Sequence, residues 1–251
     1  MRVDNTGFAN IKVIQNEGLG YGVDSVLLAA FAAGETGAKP IAKGARVADL
    51  GSGSGIVGFI VCHKIPGTTV IGIEKRASAA ARASQAAELN GMTNRISFIE
   101  ADVKDVAVDA NSIEQLGSAK FDAIVSNPPY FRQDAAIPNN QADKYVARHE
   151  TTATIYDFAR AMANMLDKTG DCYIVHRPDR LADIFEAMRI SGIEPKELQM
   201  VAPRAGEAAN IVLIHGVKGA GKELKILPEI AVHTADGGYT ELIESVYERN
   251  K

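Results

Sequence analysis

The tetrapeptide Asn127-Pro128-Pro129-Tyr130 directly follows the apolar run Phe121–Ser126, and its residue types suit one narrow task. Two consecutive prolines fix φ and donate no hydrogen bonds, so they make a rigid turn with a free carbonyl at Pro128. Asn127 adds a side-chain carbonyl beside it. Two acceptors converging on one point can hold both protons of an NH2 group whose lone pair is delocalised into a conjugated system. Held in that way, the nitrogen is driven toward a pyramidal geometry with its lone pair aimed, and proximity then carries much of the acceleration. Tyr130 offers a ring for stacking on a planar group, a contact worth about 1–3 kcal/mol for a nucleobase, and Phe131 extends that platform. A Pro-Pro turn that merely ends a strand is the plainer alternative.

A second constellation lies upstream. Val47-Ala48-Asp49-Leu50-Gly51-Ser52-Gly53-Ser54-Gly55 places a glycine-rich turn between an apolar run and a helix beginning near Ile56, and such a turn lets a ligand lie against the backbone. Gly53, Gly55 and Gly58 also satisfy the dinucleotide fingerprint, with Glu74 at a suitable distance, so a nicotinamide cofactor competes for this loop. Asp49 tilts the balance toward S-adenosylmethionine. A carboxylate at the strand tip can hold the ammonium of a methionine moiety directly or through water, whereas a pyrophosphate would be repelled. Glu74 can accept both ribose hydroxyls of either cofactor. Asp102 is placed to accept an adenine amino group while Val103 donates from its backbone. For each carboxylate a helix cap or a solvated surface group is the bland alternative. Loop and tetrapeptide together read as methyl transfer to a planar amino nitrogen.

These residues need a sheet to hold them. From about residue 45, short apolar runs alternate with helical periodicity, the pattern of strand–helix units forming a parallel sheet. The predicted strands are Arg46–Leu50, Thr69–Glu74, Arg95–Ile99, Phe121–Ser126 and Asp171–His176. Helices are predicted over Ile56–Lys64, Arg76–Asn90, Tyr156–Lys168 and Arg180–Ser191, with ends at Asn90-Gly91 and Gly170. Glu197–Val201 and Asn210–Val217 are joined by Pro203-Arg204-Ala205-Gly206, too short for a parallel crossover, so that pair is antiparallel. The fold class is therefore α/β with a seven-stranded, mostly parallel sheet and one antiparallel strand, a pattern that resembles the Rossmann-like architecture of class I methyltransferases. Residues 1–44 read as a small N-terminal cap, with a strand at Ile11–Gln15 and a helix from about Asp24 to Ala33. Residues 45–251 read as a single globular methyltransferase unit.

Composition bounds the rest. A chain of 251 residues with 46% hydrophobic and 23% charged content fits one domain. The stretch Val26–Gly34 is too short to cross a bilayer and carries no basic leader or cleavage signal, which predicts a cytoplasmic location. Cys62 and Cys172 lack metal-ligand spacing, so buried free thiols and no metal are expected. The net charge of -4 neither supports nor excludes RNA. Arg132, Lys144, Arg148 and His149 cluster just after the tetrapeptide, with Lys218, Lys222 and Lys225 further on; they are either a phosphate-facing group or scattered solvated side chains.

The chain resembles amino-methyltransferases with the (Asp/Asn/Ser)-Pro-Pro-(Tyr/Phe) motif, more closely the methyltransferase small domain proteins. Among these it is most similar to the bacterial tRNA1(Val) adenine-37 N6-methyltransferase family. Ile14-Gln15 and Gly22-Val23-Asp24-Ser25-Val26-Leu27-Leu28 match that family's opening, and Leu227-Pro228 through Gly237-Gly238-Tyr239-Thr240 its close. The resemblance implies that Asn127, Pro128, Pro129 and Tyr130 are catalytic. It implies that Asp49, Gly51, Ser52, Gly53, Gly55, Glu74, Lys75, Asp102 and Val103 bind S-adenosylmethionine, with the segment from Tyr21 through Asp24 to Ser25 closing over it. Tyr130, Phe131, Arg132 and Arg148 are the implied contacts to a tRNA substrate. Arg148-His149-Glu150 matches a stretch that follows the motif, but His149 is expected to take no catalytic part, since displacement on a held amine needs no strong base. Three rivals stand beside this reading. Glutamine N5-methyltransferases of release factors bring a helical N-terminal domain, and rRNA guanine N2-methyltransferases a duplicated domain for which 251 residues is short. A non-catalytic S-adenosylmethionine-binding RNA scaffold would not need Asn127 and Asp49.

Overall fold

A computed structural model describes residues 2–6, 10–15, 22–117, 120–130 and 153–248. Its strands are β1 (Arg2–Asn5), β2 (Lys12–Gln15), β3 (Arg46–Leu50), β4 (Thr69–Glu74), β5 (Ile96–Glu100), β6 (Phe121–Ser126), β7 (Leu166–His176), β8 (Ile193–Arg204), β9 (Ile211–Lys218), β10 (Lys225–Ile226) and β11 (Ile230–His233). Its α-helices are α1 (Val23–Ala32), α2 (Ile56–Lys64), α3 (Ala77–Leu89), α4 (Val103–Asp109), α5 (Ile155–Met165), α6 (Leu181–Ile190) and α7 (Glu241–Val246).

The main sheet runs β10-β8-β9-β7-β6-β3-β4-β5, with β11 also on β8. Only β9 is reversed, antiparallel to both β7 and β8. All seven expected strands are therefore present with their one reversal, but among the described residues the sheet has nine strands. The two extra ones, β10 and β11, pair in parallel with β8; at two and four residues they are too short for a period to be read. The strand expected at Ile11–Gln15 is present as β2, but its antiparallel pairing with β1 was not expected.

Strands buried on both faces explain the continuous apolar runs. Successive residues feed opposite layers: Val125, Tyr173 and Val175 join one cluster with Phe31 and Phe59, while Ile124, Cys172 and Ile174 join the other with Phe158 and Met162. The thiols of Cys62 and Cys172 are free and buried. Residues 166–170 correct one expectation. The helix stops at Met165, and Leu166 already pairs with Phe121, followed by a register shift. The polar stretch Asp167-Lys168-Thr169-Gly170 had read as a helix end. Gly170 instead lies against β6, where an added Cβ would sit 3.2 Å from the Asp122 carbonyl.

The segment before residue 45 is built into this core. Eight residues of α1 are buried, Ser25 through Ala32, and Phe31 meets Tyr173 of β7 edge to face at 6.0 Å. Among the described residues, no helix is long and apolar enough to cross a membrane.

Candidate active site

Strand pairing brings the two constellations together. In the β3–β6 ladder Asp49 lies opposite Val125, so two residues further on Gly51 and Asn127 leave the same sheet edge side by side. The hydroxyl of Ser126 donates to the Leu50 carbonyl at 2.7 Å and locks that alignment. The Ile73 carbonyl receives the amides of Gly51 at 2.9 Å and Ser52 at 3.0 Å. Gly51, Gly53 and Gly55 all have positive φ, which favours glycine. A Cβ at Gly55 would fall 2.4 Å from Phe98, whereas at Gly53 no described residue lies within 4 Å. One glycine thus serves packing and the other is uncrowded by the described residues. The Ser52 hydroxyl is buried without a hydrogen-bond partner among the described residues, an unusual condition for a polar group unless a ligand meets it. Loop, space and orphan hydroxyl fit a cofactor lying along Gly51–Gly55.

The three carboxylates are more deeply engaged than their sequence positions suggest. Asp49 is 1% exposed, and its Oδ2 accepts the Gly58 amide at 3.0 Å, tying the strand tip to α2. Burial pushes its carboxyl up to about 7, the Gly58 bond opposing this and nearby Glu74 adding to it. Glu74 is also buried; Oε2 accepts the Gly53 amide at 3.0 Å, and Oε1 accepts the Arg76 amide at 3.1 Å and its Nε at 2.9 Å. Its orientation is set from both sides, leaving each oxygen further acceptor capacity. Asp102 caps α4, accepting the Lys104 amide at 3.0 Å, and pairs with Lys75 Nζ at 2.7 Å. Desolvation pushes its carboxyl up, but Lys75 and the Lys104 amide prevail and hold it below the usual carboxylate range. Lys75 therefore meets Asp102. Val103 is the first residue of α4, where an amide has no intrahelical acceptor.

The tetrapeptide is fastened to the start of α1. Asn127 Nδ2 donates to Ser25 Oγ at 3.0 Å, leaving Oδ1 as the acceptor end of the amide. The Tyr130 hydroxyl donates to Asp24 Oδ2 at 2.8 Å, and the other Asp24 oxygen accepts the Ser25 amide at 2.9 Å. Burial, reinforced by Asp24, pushes the Tyr130 phenol above its ordinary range, so it stays protonated. Pro128 is buried and Pro129 exposed. Asp24, expected beside the cofactor, touches the motif.

Ser25, expected in the segment closing over the cofactor, orients Asn127. Two participants were not anticipated. Phe158 packs its ring 3.4 Å from where a Gly51 Cβ would stand. His176, at the end of β7, meets the Tyr130 ring at 5.0 Å and 69°; its place beside the β6 terminus is the signal that could have revealed it. Lys218 is placed otherwise than a phosphate contact requires: its ammonium donates to the Ala163 and Leu166 carbonyls at 2.6 and 2.8 Å, at the amino edge of the parallel strands. Tyr21, Phe131, Arg132, Lys144, Arg148 and His149 lie outside the described residues.

A sequence model of the methyltransferase small domain family matches residues 25–189. A tRNA1(Val) (adenine(37)-N6)-methyltransferase of Aeromonas hydrophila is 30% identical over 224 residues, 88% of this chain and 85% of its own length. A protein of the same name from Bacteroides fragilis is 27% identical over 228 residues, 90% of each chain. Among solved structures, a predicted O-methyltransferase from Agrobacterium tumefaciens aligns with a TM-score of 0.69 at 24% identity, covering 90% of this chain and 95% of its own. A Thermus thermophilus 16S rRNA N2 methyltransferase, solved with AdoMet and guanosine, aligns at 0.56 with 17% identity, covering 86% of this chain and 50% of its own. These structural likenesses bear on the fold.

Proposed function

Since the chain belongs to the methyltransferase small domain family, and within it to the tRNA1(Val) (adenine(37)-N6)-methyltransferases, we propose that it methylates N6 of an adenine in tRNA, adenine 37 of tRNA1(Val) in the relatives' terms. S-adenosylmethionine is its cofactor, and a cytoplasmic location follows from the substrate. The observation that carries this reading is the side-by-side exit of the glycine loop and Asn127-Pro128-Pro129-Tyr130 from β3 and β6.

Asp49, Ser52 and Glu74 would hold the methionine and ribose parts of the cofactor, and Asp102 with the Val103 amide its adenine. When bound, S-adenosylmethionine supplies a methyl group on a cationic sulfur, a strong electrophile. The protein's task is then to aim a weak nucleophile. Asn127 Oδ1 and the Pro128 carbonyl accept the two amine protons, with Ser25 fixing the amide's orientation. Tyr130, kept protonated by burial and Asp24, offers its ring to the base. No strong base is needed, since the methylated aryl amine is acidic enough to lose its proton to water. Phe131, Arg132 and Arg148 extend the RNA contact, and residues 1–44 act as a cap whose α1 aligns the motif on the unit formed by residues 45–251.

Labelled methyl transfer to three pools tests this: unmodified tRNA from a strain lacking the gene, rRNA, and release factor. Labelled N6-methyladenine in tRNA supports the reading. Label in rRNA guanine or release-factor glutamine would replace the acceptor, and label in none would overturn the assignment.

A further inference from the structure

His176 takes no part in the chemistry proposed above, yet it is 6% exposed and sits at the carboxyl end of β7, beside the strand that ends in the motif. Its Nδ1 accepts the Arg177 amide at 2.8 Å, which fixes the ring plane and, in the neutral ring, leaves the proton on Nε2. Burial lowers its pKa, with Arg180 and Arg177 acting in the same direction and Asp179 opposing them. The imidazole is thus a rigid, neutral aromatic wall, and Tyr130 lies against it at 5.0 Å and 69°, an edge-on arrangement that aromatic pairs favour.

Tyr130 is consequently held at two points. Its hydroxyl is tied to Asp24 at the start of α1, and its ring rests on His176. The hydroxyl bond alone would leave the ring free to rotate about the line from Cβ to the oxygen. The second contact, from a different element, removes that freedom and sets the tilt. We infer that His176 is a positioning residue for the acceptor: it fixes the plane of the Tyr130 ring on which the planar base stacks. This inference rests on the proposed function only for what the ring receives.

Two substitutions divide the imidazole's two roles. His176→Asn keeps an acceptor near the position of Nδ1 for the Arg177 amide but removes the ring. His176→Phe keeps the ring and removes the acceptor. With tRNA and S-adenosylmethionine, His176→Asn is expected to raise KM for tRNA by roughly two- to tenfold, the span of one aromatic pair, with KM for S-adenosylmethionine unchanged, and His176→Phe to restore most of the loss. A merely structural histidine would lower kcat with both KM values intact, and that result would overturn the inference. An arm independent of transfer uses NMR of ring-labelled tyrosine. The Tyr130 ring signals should move in His176→Asn and return toward wild type in His176→Phe. Tyr130 signals that stay put in His176→Asn would refute the positioning role. If wild type methylates no tRNA yet those signals move as expected, the acceptor assignment fails while the positioning role stands.

Discussion

Asp49→Asn pits cofactor binding against stability in a way that can be worked through. Asp49 is 1% exposed, and burial carries its carboxyl from the ordinary 3.8 to about 7. The folded value lies above the unfolded one, so the stability contributed by the protonated form is complete below about 3.8 and is lost as pH rises through about 7. At 1.36 kcal/mol per pH unit, and allowing for relaxation around a buried charge, ionised Asp49 costs the ligand-free protein about 2–4 kcal/mol at pH 8. Asparagine keeps an oxygen for the Gly58 amide and never ionises. Ligand-free Asp49→Asn should therefore be the more stable protein at pH 8, with the gap narrowing as pH falls toward 5. Denaturant unfolding at several pH values reads this directly. The same change removes the counter-charge for the cofactor's ammonium, and a charge-assisted bond of about 1.5–3 kcal/mol predicts at least a tenfold loss of S-adenosylhomocysteine affinity by calorimetry. A stability gap that does not grow with pH, or unchanged affinity, would refute the reasoning.

Asn127→Ala should leave S-adenosylhomocysteine affinity near wild type while abolishing transfer; equal loss of both would make the motif structural. Ser25→Ala removes the donor–acceptor contact that orients Asn127, and a lost hydrogen bond of about 0.5–1.5 kcal/mol predicts a kcat lowered roughly two- to tenfold, partly restored by Ser25→Thr. Gly55→Ala forces a Cβ to within 2.4 Å of Phe98 at a positive φ and should cost about 2–4 kcal/mol in denaturant unfolding. Gly53→Ala, with positive φ but no described residue within 4 Å, should cost only about 1–2 kcal/mol.

Much of the architecture could be read because parallel strands buried on both faces are continuous apolar runs. Thr69–Glu74 and Phe121–Ser126 have the expected bounds. What escaped was either too short to show a period, as in β10 and β11, or polar, as in the first residues of β7. For the candidate site, motif chemistry singled out Asn127 and Asp49 because their neighbours, prolines and glycines, have few other uses at strand ends. Partners that depend on three-dimensional adjacency leave no local pattern and can be read only once the strand order is known. Ser25 lies 102 positions from Asn127, and His176 reaches Tyr130 only because β7 lies beside β6. The helix-cap reading of Asp102 describes its geometry, since capping and adenine recognition call for the same carboxylate at the same strand end.

The most direct test of the central claim is mass spectrometry of nucleosides from unmodified tRNA treated with the protein and deuterated-methyl S-adenosylmethionine. Wild type should yield labelled N6-methyladenosine at a single adenine, and Asn127→Ala none. Absence of labelled N6-methyladenosine with wild type, or equal labelling by both proteins, would contradict an amine clamp built on Asn127-Pro128-Pro129-Tyr130.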